Sequence, residues 1–140
     1  MYPSVSETGG IPRCLSTRRT ITIIQLGEIY WVQAGISDDA EPRIPHPHVV
    51  IQLINDNDQP DKQTVVMCAI TTNAKKFNFP GNVLLEKGEA QLSRQSAVEV
   101  SKTLTIDADL LGAYIGMLSD QRMTQIRAGI RFVQRSFLHR

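Results

Sequence analysis

The 140-residue sequence lacks most features that mark a secreted or membrane protein. Only Cys14 and Cys68 are present, and we expect Cys68 to be a buried free thiol within the apolar run at 65–70 rather than half of a structural disulfide. Every apolar run falls far short of the ~20 residues that a bilayer-spanning helix needs. These absences favour one cytoplasmic domain.

The net charge is small, and common motifs for cofactors, metals and catalytic serines are absent. The formal net charge is only +1, so the whole chain carries no electrostatic sign of a nucleic-acid binder, and any basic surface must come from local clustering. The sequence contains no glycine-rich phosphate loop, no Cys/His spacing suited to zinc and no serine elbow. It therefore predicts neither a cofactor nor a metal site.

What is present indicates one mostly β domain. Residues 1–20 are polar and aperiodic, which predicts a flexible N-terminal tail, and we assign residues 21–140 to the domain. A 41% apolar composition supplies a hydrophobic core. Short runs rich in β-branched and aromatic residues alternate with turn-forming clusters, as in a small barrel or sandwich. The predicted strands are 28–33, 48–54, 63–71, 82–86 and 97–101, with 103–106 as an extension of the last.

A C-terminal helix is the clearest single element. Ser119 is a suitable N-cap, and an apolar face that packs on the sheet follows at steps of three and four residues. Its members are Met123, Ile126, Ile130, Val133 and Phe137. Arg127, Arg131 and Arg135 form another face, which is either a solvated surface or a nucleic-acid stripe. Asp107 is expected to cap a short helical turn before Leu110.

A proline-spaced segment precedes the second predicted strand. Pro42, Pro45 and Pro47 stiffen it, and alternation in an extended chain places His46 and His48 side by side at the strand entrance. Histidine titrates near neutral pH, so the pair is a candidate acid/base site for RNA transesterification. The alternative is a polar rim or a hydrogen-bonded, half-buried pair.

A second candidate cluster follows the third predicted strand. Thr71, Thr72 and Asn73 offer hydroxyl and amide groups to phosphate oxygens, and the next loop adds charge and an aromatic ring for stacking on a base. The substrate-binding candidates are Thr72, Asn73, Lys75, Lys76 and Phe77. The alternative is a polar turn with Phe77 and Phe79 tucked into the core, and at most one of these rings is expected to face solvent.

Five ordered segments resemble the PemK/MazF family of toxin-antitoxin toxins over about residues 27–137. They are 27–32 (GEIYWV), 47–52 (PHVVIQ), 65–71 (VVMCAIT), 96–100 (SAVEV) continuing to 105–107 (TID), and 111–119 (LGAYIGMLS). The resemblance implies an SH3-like small barrel of the PemK/MazF/CcdB-like type with a C-terminal helix. It also implies a homodimer, metal-independent cleavage of single-stranded RNA, and an antitoxin that covers the RNA groove.

The family places an arginine before the proline that opens the second strand and a threonine at the end of the third. Thr71 matches the threonine, whereas His46 stands in the arginine's place, ahead of Pro47. Histidine exchanges protons but lacks the permanently charged fork of arginine. Arg43 is the expected source of the missing charge.

The leading hypothesis is an endoribonuclease toxin, an mRNA interferase that inhibits growth. The catalytic candidates are His46, Thr71, Arg43 and His48, with partners in single-stranded RNA and a cognate antitoxin, and with DNA bound through the toxin-antitoxin complex. The alternative is a non-catalytic module of the same fold that binds DNA or protein, as gyrase-poisoning toxins do.

Overall fold

The computed structural model describes residues 23–33 and 44–138. The predicted tail at 1–20 and residues 34–43 lie outside the described residues, and so do Cys14 and Arg43 within them. Within them the chain forms six strands, three single-turn 3-10 segments and one helix. The strands are β1 (Glu28–Val32), β2 (His46–Asp56), β3 (Gln59–Thr71), β4 (Val83–Leu85), β5 (Ser96–Asp107) and β6 (Tyr114–Met117), followed by helix α1 (Asp120–Leu138).

The six described strands form one antiparallel sheet in the order β4-β5-β3-β2-β1-β6. This sheet with its C-terminal helix confirms the predicted fold class. The sequence missed β6, a four-residue strand that contains Gly116. A Cβ at Gly116 would lie 2.1 Å from the carbonyl oxygen of Ala90, so the glycine, which weakens a strand signal, is required by close backbone packing.

Pairing extends the strands beyond their apolar runs. The predicted segments 48–54 and 63–71 become the β2–β3 hairpin, whose polar ends pair as Asn55 with Gln63 and Asp56 with Gln59. The hairpin turn at 57–58 lies within the predicted turn cluster. The predicted strand at 97–101 and its predicted extension at 103–106 form one strand, β5, which contains a bulge where the register with β3 shifts between Cys68 and Ala69.

The helix follows its predicted pattern. The Ser119 hydroxyl accepts a hydrogen bond from the Arg122 backbone N–H at 3.2 Å, which confirms the N-cap. Met123 and Ile126 are buried, and Ile130 and Val133 pack against the same core; the side chain of Phe137 lies outside the described part. The arginines Arg127, Arg131 and Arg135 are exposed.

The cap predicted at Asp107 is wrong in its chemistry. A short 3-10 turn does follow at Ala108–Leu110, but the Asp107 side chain makes no capping hydrogen bond. Its carboxylate lies 3.9 Å from the Lys62 ammonium group instead.

The sheet has two faces with different coverings, because side chains alternate along each strand. The helix face, which packs under α1, carries Ile29, Val49, Cys68, Ile70, Val98 and Val100. The far face carries a second apolar cluster around Tyr30, Val32, Val50, Val65 and Met67. On the helix face, Cys68 is a buried free thiol as predicted, and burial raises its pKa to about 12.

Helix α1 also touches the loop before β4. A Cβ at Gly129 would lie 2.1 Å from the Gly81 carbonyl oxygen, and Gly81 itself has a φ of +85°. Only a residue without a side chain fits at Gly129, while the positive φ favours glycine at position 81. The helix therefore seats this loop by direct backbone contact.

No helix within the described residues is long and apolar enough to cross a membrane.

Candidate active site

His46 and Thr71 lie at the same end of the sheet. His46 begins β2 and Thr71 ends β3, and these strands pair antiparallel with His48 opposite Ala69. The observed pairing ends at His48 and Ala69; the same register continued for two residues would set His46 opposite Thr71. Since side chains alternate, both residues lie on the face of His48 and Ala69, which is the far face. This end of the far face therefore carries an imidazole from β2 and a hydroxyl from β3.

The two histidines have different environments. His46 is exposed and pairs with Val32 of β1, whereas His48 is buried. The Nδ1 atom of His48 lies 3.0 Å from the His46 carbonyl oxygen. Because a carbonyl oxygen only accepts, Nδ1 carries the proton in this bond. Burial lowers the pKa of His48, partly offset by this backbone bond, so the ring is neutral at pH 7 and fixes the backbone of its exposed neighbour.

Local hydrogen bonds shape the chain after β3. The Thr71 hydroxyl accepts a bond from the Asn73 N–H at 3.1 Å, and the Asn73 carboxamide oxygen accepts one from the Lys75 N–H at 3.0 Å. Asn73 thereby caps the 3-10 turn at Ala74–Lys76. Because Thr71 is the acceptor in its bond, its hydroxyl hydrogen is available to donate to a phosphate oxygen.

The remaining predicted binding residues surround this turn. Thr72, Asn73 and Lys75 are exposed at the surface. Phe77 is half-buried, whereas Phe79 is 51% exposed, in line with the expectation that at most one ring faces solvent. Phe79 presents more of its ring than the predicted Phe77 for stacking on a base.

Lys76 makes an ion pair that the sequence did not predict. Its ammonium nitrogen lies 3.3 Å from the Glu99 carboxylate, and the Lys102 ammonium lies 3.9 Å from the same oxygen. Glu99 is buried on β5, opposite Ala69 of β3. His48, Ala69 and Glu99 therefore form one row across three strands.

Asn82 ties the turn to β5. Its amide nitrogen donates to the Lys76 carbonyl oxygen at 2.9 Å, and its amide oxygen accepts from the Val100 N–H at 3.2 Å. Both bonds are partly buried, so they hold the Lys76 backbone against the strand that carries Glu99.

Sequence reasoning overlooked Glu99, Lys102 and Asn82. The available signal was a single carboxylate inside the otherwise apolar segment 97–100, because a charge at a buried strand position requires partners. The partners themselves depend on strand pairing. Among the described residues, no group of three or more His, Cys, Asp or Glu side chains could hold a metal ion.

Comparison with known proteins agrees with this architecture. The family model described as "PemK-like, MazF-like toxin of type II toxin-antitoxin system" matches residues 25–133. The endoribonuclease MazF6 of Mycobacterium tuberculosis is 31% identical over 111 residues, which cover 79% of this chain and 96% of that protein. The endoribonuclease MazF of Staphylococcus saprophyticus is 27% identical over 108 residues, covering 77% and 88%.

Solved structures show the same fold. A mycobacterial endoribonuclease in complex with its cognate antitoxin superposes with a TM-score of 0.57 at 18% identity, over 79% of this chain and 93% of that one. The Mycobacterium tuberculosis toxin MazF-mt6 gives 0.54 at 21% identity, over 74% and 91%. With the family match covering most of the sequence, this chain belongs to the PemK/MazF family of type II toxin-antitoxin toxins.

Proposed function

We propose that this chain is an endoribonuclease toxin that cleaves single-stranded RNA. The observation that carries the proposal is that β2 begins at His46 and β3 ends at Thr71, at one end of the far face, and that the lysine-bearing turn follows Thr71. Proton exchange, hydrogen bonding to phosphate and positive charge are the groups that RNA transesterification uses. The relatives named as MazF endoribonucleases support the same activity.

In the proposed reaction, the 2′-hydroxyl oxygen of the substrate bonds to the adjacent phosphorus, and the bond to the 5′-oxygen breaks. His46 takes the proton from the 2′-hydroxyl, and the departing 5′-oxygen takes a proton from water. The products are a 2′,3′-cyclic phosphate and a 5′-hydroxyl. This chemistry uses a nucleophile within the RNA itself and requires no metal.

The other predicted residues support this step. Thr71 donates a hydrogen bond to a phosphate oxygen, where negative charge develops in the transition state. Arg43, outside the described residues, is assigned to neutralise that charge. His48 is buried and neutral, so we assign it to hold the His46 backbone rather than to donate a proton.

Contacts away from the reacting bond are assigned to the same loop. Lys75 and Lys76 supply charge, Thr72 and Asn73 supply polar contacts, and Phe77 remains the predicted stacking residue beside the more exposed Phe79. Single-stranded RNA is recognised in this way by bases splayed onto aromatic rings and phosphates bound by cations.

End mapping tests the proposal. Purified protein is incubated with a long single-stranded RNA, and the cut ends are identified. Cyclic phosphate ends are expected, and His46→Gln should lower the cleavage rate about 100-fold, the scale of one general base. Because His46 is exposed, the variant should unfold at the same temperature as the wild type. Undiminished cleavage by this variant rules out the role of His46.

The alternative function is a binding module without nuclease activity. The observation in its favour is His46 at the position where the family resemblance places an arginine. Intact RNA after incubation, together with measurable binding of DNA or protein, would support this alternative. In that case the polar end of the far face is a docking surface only.

The assembly is also a proposal. A cognate antitoxin that covers the RNA-binding face is supported by the mycobacterial relative solved with its own antitoxin. We further propose a homodimer, DNA binding through the toxin-antitoxin complex, and action in the cytoplasm, where RNA and antitoxin are available. Light scattering of the purified chain tests the dimer directly, since a mass of about twice 15.6 kDa is expected.

A further inference from the structure

Glu99 is a buried carboxylate between two buried apolar residues of β5, Val98 and Val100. Its side chain is only 8% exposed, and both ion-pair contacts use the same oxygen atom, one to Lys76 and one to Lys102. A carboxylate at such a site is costly unless cations and hydrogen bonds compensate for lost hydration. Two lysines therefore gather around one acidic group.

The contact with Lys102 depends on the bulge in β5. Residues three apart in a regular strand point to opposite faces and lie about 10 Å apart. Here Ala69 pairs with Glu99 while its neighbour Cys68 pairs with Thr103, so the three residues between them are extra. The bulge redirects Lys102 toward Glu99.

The two ammonium groups lie close to each other and to solvent. Since both contact one oxygen, they lie within about 7 Å of each other. The side chain of Lys76 is 28% exposed and that of Lys102 is 59% exposed, so each has donors that Glu99 does not use. Two ammonium groups at this separation can contact the oxygens of a single phosphate group.

The pair lies beside the reacting bond rather than at it. Thr71 pairs with Ala97, and Glu99 follows Ala97 by two residues, which corresponds to about 7 Å along β5. Lys76 follows Thr71 by five residues in the turn held by Asn82. A phosphate contacting both lysines would therefore belong to a nucleotide next to the cleaved one.

We propose that Glu99 is a positioning residue that holds Lys76 and Lys102 together as a binding site for an RNA phosphate flanking the cleaved bond. The inference rests on the proposed function and adds Lys102 to its binding residues. Glu99 acts only through the lysines and touches no RNA.

The direction in which Glu99→Gln changes RNA affinity distinguishes a positioning role of Glu99 from an effect of net charge alone. Glu99→Gln removes a negative charge from an RNA-binding face, so a face acting only through its net charge would bind RNA more tightly. If Glu99 positions the lysines, the same change frees them and binding weakens. Glu99→Asp keeps the charge on a shorter stem and should restore part of the affinity.

The probe is an RNA oligonucleotide spanning a mapped cut, with a 2′-O-methyl group at the cleaved nucleotide to block reaction. Lys102→Met should raise its Kd about tenfold and reduce the steepness of the salt dependence by about 0.7, the value for one released counterion on a single strand. Lys102→Arg should bind within about threefold of wild type. On cleavable RNA, Lys102→Met should raise KM while kcat stays within about threefold.

Lys62→Met is the matched control, because Lys62 is also an exposed strand lysine paired with a carboxylate, at the other end of β3. Its Kd should change less than twofold. The proposal is overturned if Lys102→Met and Lys62→Met behave alike, or if Glu99→Gln leaves binding unchanged or tightens it. Should Glu99→Gln fail to fold, the two lysine variants decide.

The two proposals fail in distinguishable ways. If the wild-type protein leaves a long single-stranded RNA intact, the endoribonuclease function is wrong, while the Kd of that same uncut RNA for the wild type and for the lysine variants still reports on the lysines. If the protein cleaves RNA but the lysine variants bind like wild type, only the flanking phosphate site is wrong.

Discussion

The two faces of the sheet come from the same strands but differ in what alternate residues do. On β3, Cys68 and Ile70 face the helix and are buried in the core, while Ala69 and Thr71 belong to the far face. On β5, Val98 and Val100 are core residues and Glu99 between them holds two lysines. One strand can therefore supply both stability and a binding site, provided that its register is fixed.

A cavity on the helix face tests whether that face provides the stability of the fold. Ile126 is fully buried under the sheet, so Ile126→Ala should lower the free energy of unfolding by about 2–5 kcal/mol. Its exposed neighbour Arg127 provides a control, because Arg127→Ala should change the free energy of unfolding by less than about 0.5 kcal/mol. Urea denaturation measures both. Equal effects would mean that α1 does not cover the core.

The corresponding change on the far face should affect catalysis instead. Thr71→Val removes the hydroxyl at almost constant volume and should slow RNA cleavage about tenfold to 100-fold, the scale of one hydrogen bond to a charged group. Thr71→Ser should retain most activity, and Thr64→Val, on the same strand, should retain all of it. A slow Thr71→Ser variant would show that packing, not the hydroxyl, matters.

Asn82 tests the connection between the turn and the strand. Asn82→Ala breaks its bonds to Lys76 and Val100, which should lower the free energy of unfolding by about 1–2 kcal/mol and weaken RNA binding. Thermal unfolding and the Kd of the blocked oligonucleotide provide the two readings. A loss of stability with normal RNA binding would show that RNA binding does not depend on Asn82 holding the turn.

The smallest expected effect is a pH dependence at His48. Its folded pKa lies below the ordinary value of 6.5 because of burial, so the unfolded chain binds more protons in the window just below pH 6.5. Stability is therefore complete above pH 6.5 and falls as the pH decreases, by at most about 1.4 kcal/mol per pH unit. Chemical denaturation at pH 7 and pH 5 measures the fall.

His48→Gln should reduce that difference. The lowered pKa of Glu89, which is held by the Arg122 guanidinium, adds its own loss of stability only as pH falls below about 4.5. The two contributions therefore separate along the pH axis. An identical fall between pH 7 and pH 5 in the variant would assign it to another group.

The sequence predicted what depends on local pattern. The apolar periodicity of α1, its Ser119 cap and the β-branched runs of β2 and β3 each carry their own signal, and all were confirmed. Strand β6 was missed because its signal is a Gly-containing tetrapeptide stabilised by pairing with β1. Local propensity cannot report a strand whose stability comes from its neighbours.

The candidate site shows the same division. His46 and Thr71 could be identified because each ends a strong strand, and the family resemblance marked both positions. The contacts of Glu99 with Lys76 and Lys102 could not be predicted, because they require the pairing of β5 with β3 and a bulge of three residues. The exposure of Phe79 rather than Phe77 likewise depends on how the turn packs.

The backbone contact between Gly81 and Gly129 joins helix α1 to the loop before β4, which carries Asn82. Neither glycine has a side chain that could adjust, so a displacement of the helix along its axis would move the Gly81 peptide group, which precedes Asn82. Asn82 would transmit that movement to the Lys76 main chain through its hydrogen bond. Helix α1 thus limits the movement of the loop that carries Asn82, and through Asn82 it limits the movement of the turn at Ala74–Lys76.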